Sequence, residues 1–119
     1  DMIKEIINYF SEKINQAISY KINDLIIDPG FGFAKDIKQN YDLLNHMELL
    51  KVLEKPVMVG ISRKSMIYKT LNTEPEKSLN GTTVLNTISL IKGASILRVH
   101  DVKEANECIK LIDSLNQES

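Results

Sequence analysis

The chain has 119 residues, 43% of them hydrophobic and 26% charged. That composition fits a single soluble globular domain and excludes a disordered or low-complexity polypeptide. A formal net charge of -1 is too weak a field to gather nucleic acid or an acidic membrane, so any anion site must be local. No apolar run reaches the roughly 20 residues needed to cross a bilayer. The first residues, Asp1-Met2-Ile3-Lys4-Glu5, lack the pattern of a secretory signal.

Ile3, Ile6, Ile7, Phe10, Ile14, Ala17 and Ile18 recur at helical spacing and predict an amphipathic helix over residues 2–19. Residues 24–27 read as a first strand. Residues 28–36, rich in glycine and proline, read as a loop. Leu43, Leu44, Met47, Leu50 and Leu53 mark a second helix that stops ahead of Pro56. Residues 57–60 are the second strand and 65–71 a short helix, broken by Asn72-Thr73-Glu74-Pro75. Residues 76–92 form another helix, closed by Gly93 as its C-cap. Residues 94–99 are the third strand. Asp101, with Glu104 three residues on, reads as a capping box opening the last helix. In that helix Cys108, the only cysteine, sits in an apolar pattern with Ala105, Ile109 and Ile112. It reads as a small core residue in a reducing, cytoplasmic compartment.

Between consecutive strands lies enough chain for a helix. The strands should therefore be parallel, joined by right-handed crossovers, with their apolar sequences covered on both faces. Three strands cannot close a barrel, which needs about eight. The expected class is α/β, built of parallel (β/α) units. It reads as the later portion of a larger barrel, with a free-standing three-layer sandwich as the alternative.

Each predicted strand runs into polar residues, and parallel strands end on one edge, where α/β proteins place their chemistry. Asp28 suits the paired donors of an amino-pyrimidine edge; Asp-Pro-Gly is also ordinary turn material. Gly30 and Gly32 permit positive φ and close approach of a ligand. Of the interleaved aromatics, Phe31 reads as core and Phe33 as a pocket wall. Ser62-Arg63-Lys64-Ser65 joins a strand end to a helix start, where free N–H groups and two cations favour a carboxylate or phosphate. The spacing of a P-loop is absent, and Ser65 would serve equally as an N-cap. Arg98 and His100 flank Val99 and point to one side of an extended segment. Arg98 can stack on a flat ring while binding phosphate oxygens, and His100 can donate to a pyrophosphate oxygen. A salt-bridged Arg and a capping His are the structural alternative. His46 lies among polar neighbours and reads as solvated surface.

Taken together, three segments resemble the dihydropteroate synthase family. They are Asp28-Pro29-Gly30-Phe31-Gly32-Phe33-Ala34-Lys35, Gly60-Ile61-Ser62-Arg63-Lys64-Ser65 and Leu97-Arg98-Val99-His100-Asp101-Val102. Gly93-Ala94 ahead of the last strand fits as well, and Ala34 stands where many members carry glycine. The resemblance implies strands six to eight of a TIM (β/α)8 barrel. The implied reaction joins p-aminobenzoate to 6-hydroxymethyl-7,8-dihydropterin diphosphate and releases pyrophosphate, with Mg2+ assisting the leaving group.

Carried over by resemblance, Asp28 would bind the pterin edge, and Lys64 would hydrogen-bond the pterin and shape the p-aminobenzoate pocket. Gly32 and Phe33 would line that pocket. Ser62 and Arg63 would lie among the substrate-binding groups, with Ser65 meeting the p-aminobenzoate carboxylate. Arg98 would stack on the pterin and, with His100, hold the pyrophosphate. Lys64, Arg98 and His100 are thus the implied catalytic residues. The family is usually a homodimer. Its first half supplies an Asn for metal and pyrophosphate and further pterin ligands, none of them in these residues. The expectation is little or no turnover from this chain alone. A pterin-binding methyltransferase domain and a non-catalytic anion-binding module are the rival readings; the Ser-Arg-Lys and Arg-Val-His segments favour the synthase.

Overall fold

The structure, a computed structural model, describes residues 1–117. Helix α1 spans Met2–Ser19, opened by the Asp1 carboxylate accepting the Ile3 N–H at 3.1 Å. It lays Ile3, Ile6, Ile7, Phe10 and Ile14 on the core, as the helical spacing predicts. It ends where Lys21 takes a left-handed φ of 62°.

The first predicted strand is reduced to one parallel bridge, Ile27 to Val57. The Ile27 N–H donates to the Pro56 carbonyl at 2.8 Å, and the Met58 N–H donates to the Ile27 carbonyl at 2.7 Å. Residues 24–26 join no ladder. Helix α2, Ile37–Asn45, begins at a capping box that the apolar pattern does not reveal. Asp36 accepts the Gln39 N–H, and the Gln39 side chain accepts the Asp36 N–H. The predicted second helix is then two pieces, because the chain tightens after His46 into a 3₁₀ helix over Met47–Leu53. Glu54 stops it at φ 55° ahead of Pro56.

Strand β1 is Met58–Val59 and strand β2 is Ile96–Leu97. They pair in parallel, Met58 with Ile96 and Val59 with Leu97, so β1 lies between β2 and the Ile27 segment. Helix α3 is shorter than expected, Ser65–Tyr68. A 3₁₀ turn over Pro75–Lys77 precedes α4, Leu79–Ile91. Past α4, Gly93 adopts φ 108°, the conformation its C-cap role requires. Helix α5, Val102–Asn116, packs on α4. Cys108 is buried between them, 3.5 Å from Thr87 Oγ1.

The core joins Ile27, Val57, Val59 and Ile61 to Phe31, Leu43, Leu50, Met66 and Ile67. Burying each such large side chain contributes about 1.5–3 kcal/mol. The helices cover only one sheet face. Ile96 of β2 is exposed, so among the described residues the cover expected on both sides is incomplete. Two polar ties set the loops. Buried Asn40 accepts the Gly32 N–H at 2.8 Å and donates to the Asp36 carbonyl at 2.9 Å. The Tyr41 hydroxyl donates to the Met66 carbonyl at 2.6 Å, fixing α2 to α3. The class is α/β with parallel strands, as the sequence indicates.

Candidate functional site

Three loops leave the same end of the sheet: residues 28–36, 60–64 and 98–101. In the first, Asp28 Oδ1 accepts the Gly30 N–H at 2.9 Å. This is the Asx turn its Asp-Pro-Gly sequence favours. Asp28 Oδ2 meets Arg98 Nη1 at 3.0 Å. Both structural alternatives, turn Asp and salt-bridged Arg, are therefore realised. Each carboxylate oxygen keeps a further lone pair for another donor, so neither bond closes the site. The ammonium of Lys35 draws the same loop together by donating to the carbonyls of Pro29, Gly30 and Phe33 at 3.0–3.3 Å.

The two aromatics separate as the alternation suggests. Phe31 is 0% exposed and Phe33 is 69% exposed. Gly30 and Gly32 carry φ of 77° and 87° between them. At Gly32 a Cβ would lie 3.3 Å from Lys64 Cδ. The second loop thus packs its lysine stem directly on the first.

Lys64 Nζ donates to the Phe31 carbonyl and stands 5.4 Å from the Phe33 ring centroid. Burial is the main force lowering its pKa below the ordinary lysine value; Arg98 and Lys35 push the same way and Asp28 opposes them. Lys64, Phe33, Gly32, Arg63 and Ser65 line an open cleft of about 360 Å3, completed by Phe31, Tyr68 and Pro75. Lys64, not Ser65, occupies the N-cap of α3, and Ser65 is its first residue without a side-chain cap bond. That removes the N-cap alternative for Ser65. With only four residues, α3 offers its first N–H groups rather than a sizeable macrodipole.

The third loop is tied to the second. The His100 N–H donates to Ser62 Oγ at 3.3 Å, and Ser62 Oγ lies 2.7 Å from His100 Nδ1. The Ser62 hydroxyl has one donor and two acceptor sites, so it can serve Nδ1 in either imidazole tautomer. One residue on, Arg63 Nη2 meets Asp101 Oδ1 at 2.8 Å. Hydrogen bonding to Asp101 raises the Arg63 pKa. Asp101 makes no side-chain cap bond to α5, which corrects the capping-box reading: its carboxylate is spent on Arg63. His46 pairs with Asp42 at 3.3 Å at the end of α2, outside these loops. Gly60, which the sequence reading left without a role, touches the site directly. A Cβ there would lie 2.7 Å from Arg98 Cζ.

Asp28, Gly32, Phe33, Ser62, Arg63, Lys64, Ser65, Arg98 and His100 therefore sit on three adjoining loops. Arg98 bridges Asp28 and Gly60, and Lys64 bridges the first two loops. The arrangement offers a carboxylate edge, an open cleft with one aromatic wall, and cations for an anion. The donor set does not fit the implied Mg2+ by itself. Among the described residues no three His, Cys, Asp or Glu side chains gather to hold a metal, and Asp28 is engaged by Arg98.

Residues 1–100 match the family described as pterin binding enzymes. Dihydropteroate synthase of Escherichia coli K12 is 39% identical over 116 residues, covering 96% of this chain and 41% of that protein. A solved Yersinia pestis dihydropteroate synthase, in complex with a pterine-sulfa conjugate, superposes with a TM-score of 0.96 at 36% identity. It covers 100% of this chain and 48% of that one. The 7,8-dihydropteroate synthase of Vibrio fischeri gives 0.92 at 38% identity, with 100% and 45% covered. The chain thus spans less than half the length of these relatives, and its parallel (β/α) units correspond to part of their TIM barrel. On the family match and this agreement of fold and sequence, the chain belongs to the pterin binding enzymes.

Proposed function

We propose that these residues are the later part of a dihydropteroate synthase. This transferase of folate biosynthesis joins p-aminobenzoate to 6-hydroxymethyl-7,8-dihydropterin diphosphate with release of pyrophosphate. The observation that carries the reading is the Asp28–Arg98 pair standing beside the Lys64–Phe33 cleft. A flat heterocycle with a donor edge, a diphosphate and an aromatic carboxylate need those groups side by side.

Asp28 would accept from the amino-pyrimidine edge, with Arg98 against the ring and its diphosphate. His100 would donate to a departing phosphate oxygen. Gly32, Phe33 and Ser65 would receive p-aminobenzoate, with Lys64 between the two ligands. The amine attacks the pterin methylene while the carbon–oxygen bond to diphosphate breaks. The amine then loses a proton, and pyrophosphate leaves with the bonding pair. These residues would accelerate that exchange by holding the partners in line and by stabilising leaving-group charge. Ser62 would act through His100, whose backbone and ring it holds in place. The Mg2+ that the family resemblance implies would need ligands from outside these residues. A cytoplasmic homodimer is part of the proposal.

The test is dihydropteroate formation by the complete polypeptide that carries this chain, with Asp28→Asn and Arg98→Ala as controls. Turnover lost in both variants supports the reading; turnover surviving both removes it. The 119 residues alone are expected to give little or no turnover, because the family draws further pterin, metal and pyrophosphate ligands from its first half. Full turnover from them would contradict that.

A further inference from the structure

Arg63 is a non-glycine residue held at φ 56°. A side chain there costs free energy and persists only where its surroundings over-determine it. Three bonds do so. The Arg63 N–H donates to Thr82 Oγ1 on α4 at 3.1 Å, and Thr82 is buried. Arg63 Nη2 donates to Asp101 Oδ1 at 2.8 Å and Nε to Oδ2 at 3.4 Å. Two side chains, from α4 and from the residue preceding α5, thus grip one residue of the β1–α3 loop. The grip comes at the point where the backbone reverses, and the next two residues are Lys64 and Ser65, which line the cleft. Asp101 gives up a helix cap to make this bond. The guanidinium of Arg63, though beside the cleft, already has a carboxylate partner.

The geometry points to Arg63, Thr82 and Asp101 as a clamp that positions Lys64 and Ser65, with Arg63 acting through the backbone instead of on a substrate. The kinetic half of this inference rests on the cleft being the p-aminobenzoate site; the structural half does not. Of the two adjacent cations in the Ser-Arg-Lys segment, only Lys64 then answers to a ligand.

Two measurements on the complete polypeptide test it, with Asp101→Asn, Thr82→Val and Thr82→Ser as variants. Residue-resolved amide hydrogen exchange reads the clamp without any substrate. Exchange at Arg63 and Lys64 should rise about fivefold or more in Asp101→Asn and Thr82→Val, roughly what losing one partly exposed ion pair or hydrogen bond allows. Thr82→Ser keeps the hydroxyl and should match the parent. In steady-state kinetics Asp101→Asn should raise KM for p-aminobenzoate about fivefold and leave KM for the pterin diphosphate within about twofold.

Unchanged exchange at Arg63 and Lys64 in Asp101→Asn overturns the clamp. So does an unaltered p-aminobenzoate KM in that variant when Arg63→Lys loses affinity, which would make Arg63 a direct contact. Faster exchange in a protein that forms no dihydropteroate upholds the clamp and removes the synthase reading instead.

Discussion

Gly60→Ala separates stability from binding at one atom. Gly60 does not carry a positive φ, so alanine meets no backbone strain. Its Cβ, however, would stand 2.7 Å from Arg98 Cζ and 2.9 Å from Arg98 Nε. Carbon contacts settle near 3.5–4.0 Å, so the guanidinium must move by about an ångström and leave Asp28. The pair it breaks is half-exposed, with side chains 52% and 31% accessible. Such pairs contribute about 0–1 kcal/mol. Stability should fall by no more than about 1 kcal/mol, or roughly 2–4 °C in Tm for a polypeptide of the complete size. Binding should suffer more. A hydrogen bond to a charged group is worth about 1.5–3 kcal/mol, which is about ten- to a hundredfold in Kd. Thermal melts and calorimetric titration with inorganic pyrophosphate would compare the parent, Gly60→Ala, Arg98→Ala and the double variant in the complete polypeptide. Both single variants should bind equally weakly, and the double variant no worse, because one guanidinium is lost by two routes. Parental pyrophosphate affinity in Gly60→Ala would refute the reasoning, as would a stability loss of several kcal/mol.

The two aromatics of the first loop should part in opposite ways. Phe31→Ala should cost about 3–5 kcal/mol in chemical denaturation, since Phe31 is fully buried. Phe33→Ala should leave stability within about 0.5 kcal/mol yet weaken p-aminobenzoate binding, because it strips the wall facing Lys64. Asn40→Leu should destabilise by about 1–3 kcal/mol through the orphaned Gly32 N–H, read from the denaturant midpoint; an unchanged midpoint would mean that water replaces the amide. Lys64 gives a pH signature. Its folded pKa lies below the ordinary lysine value of 10.5, so between the two values the unfolded chain holds more protons. This group therefore adds stability as pH rises through its folded pKa, with the gain complete near 10.5. Affinity for an anion should fall over the same window, and Lys64→Met should abolish that part of the pH profile.

Helical spacing was enough to place α1 almost to the residue, since its apolar stripe is long and regular. Phe31 as core and Gly93 as helix stop were legible for the same local reasons. The start of α2 was also written in the sequence, as Asp36 followed by Gln39, a signal hidden by the neighbouring loop residues. Strand lengths were not legible. An apolar run shows that a segment can pair, whereas the ladder extends only as far as a partner runs beside it. Residues 24–26 find none, and β1 and β2 keep two residues each.

At the candidate site, residue chemistry and order along the chain marked three loops as the place to look. Which side chains satisfy one another was decided in three dimensions. Asp101 reads locally as a cap, yet an arginine 38 residues away takes its carboxylate. Arg98 finds Asp28 across 70 residues, and Gly60 earns its lack of a side chain only because that arginine lies over it. Local pattern determines what the backbone does over a few residues because those forces act at that range. The partner of a charge is set by whichever distant group the packed fold brings within about 3 Å, and that information lies in the tertiary structure.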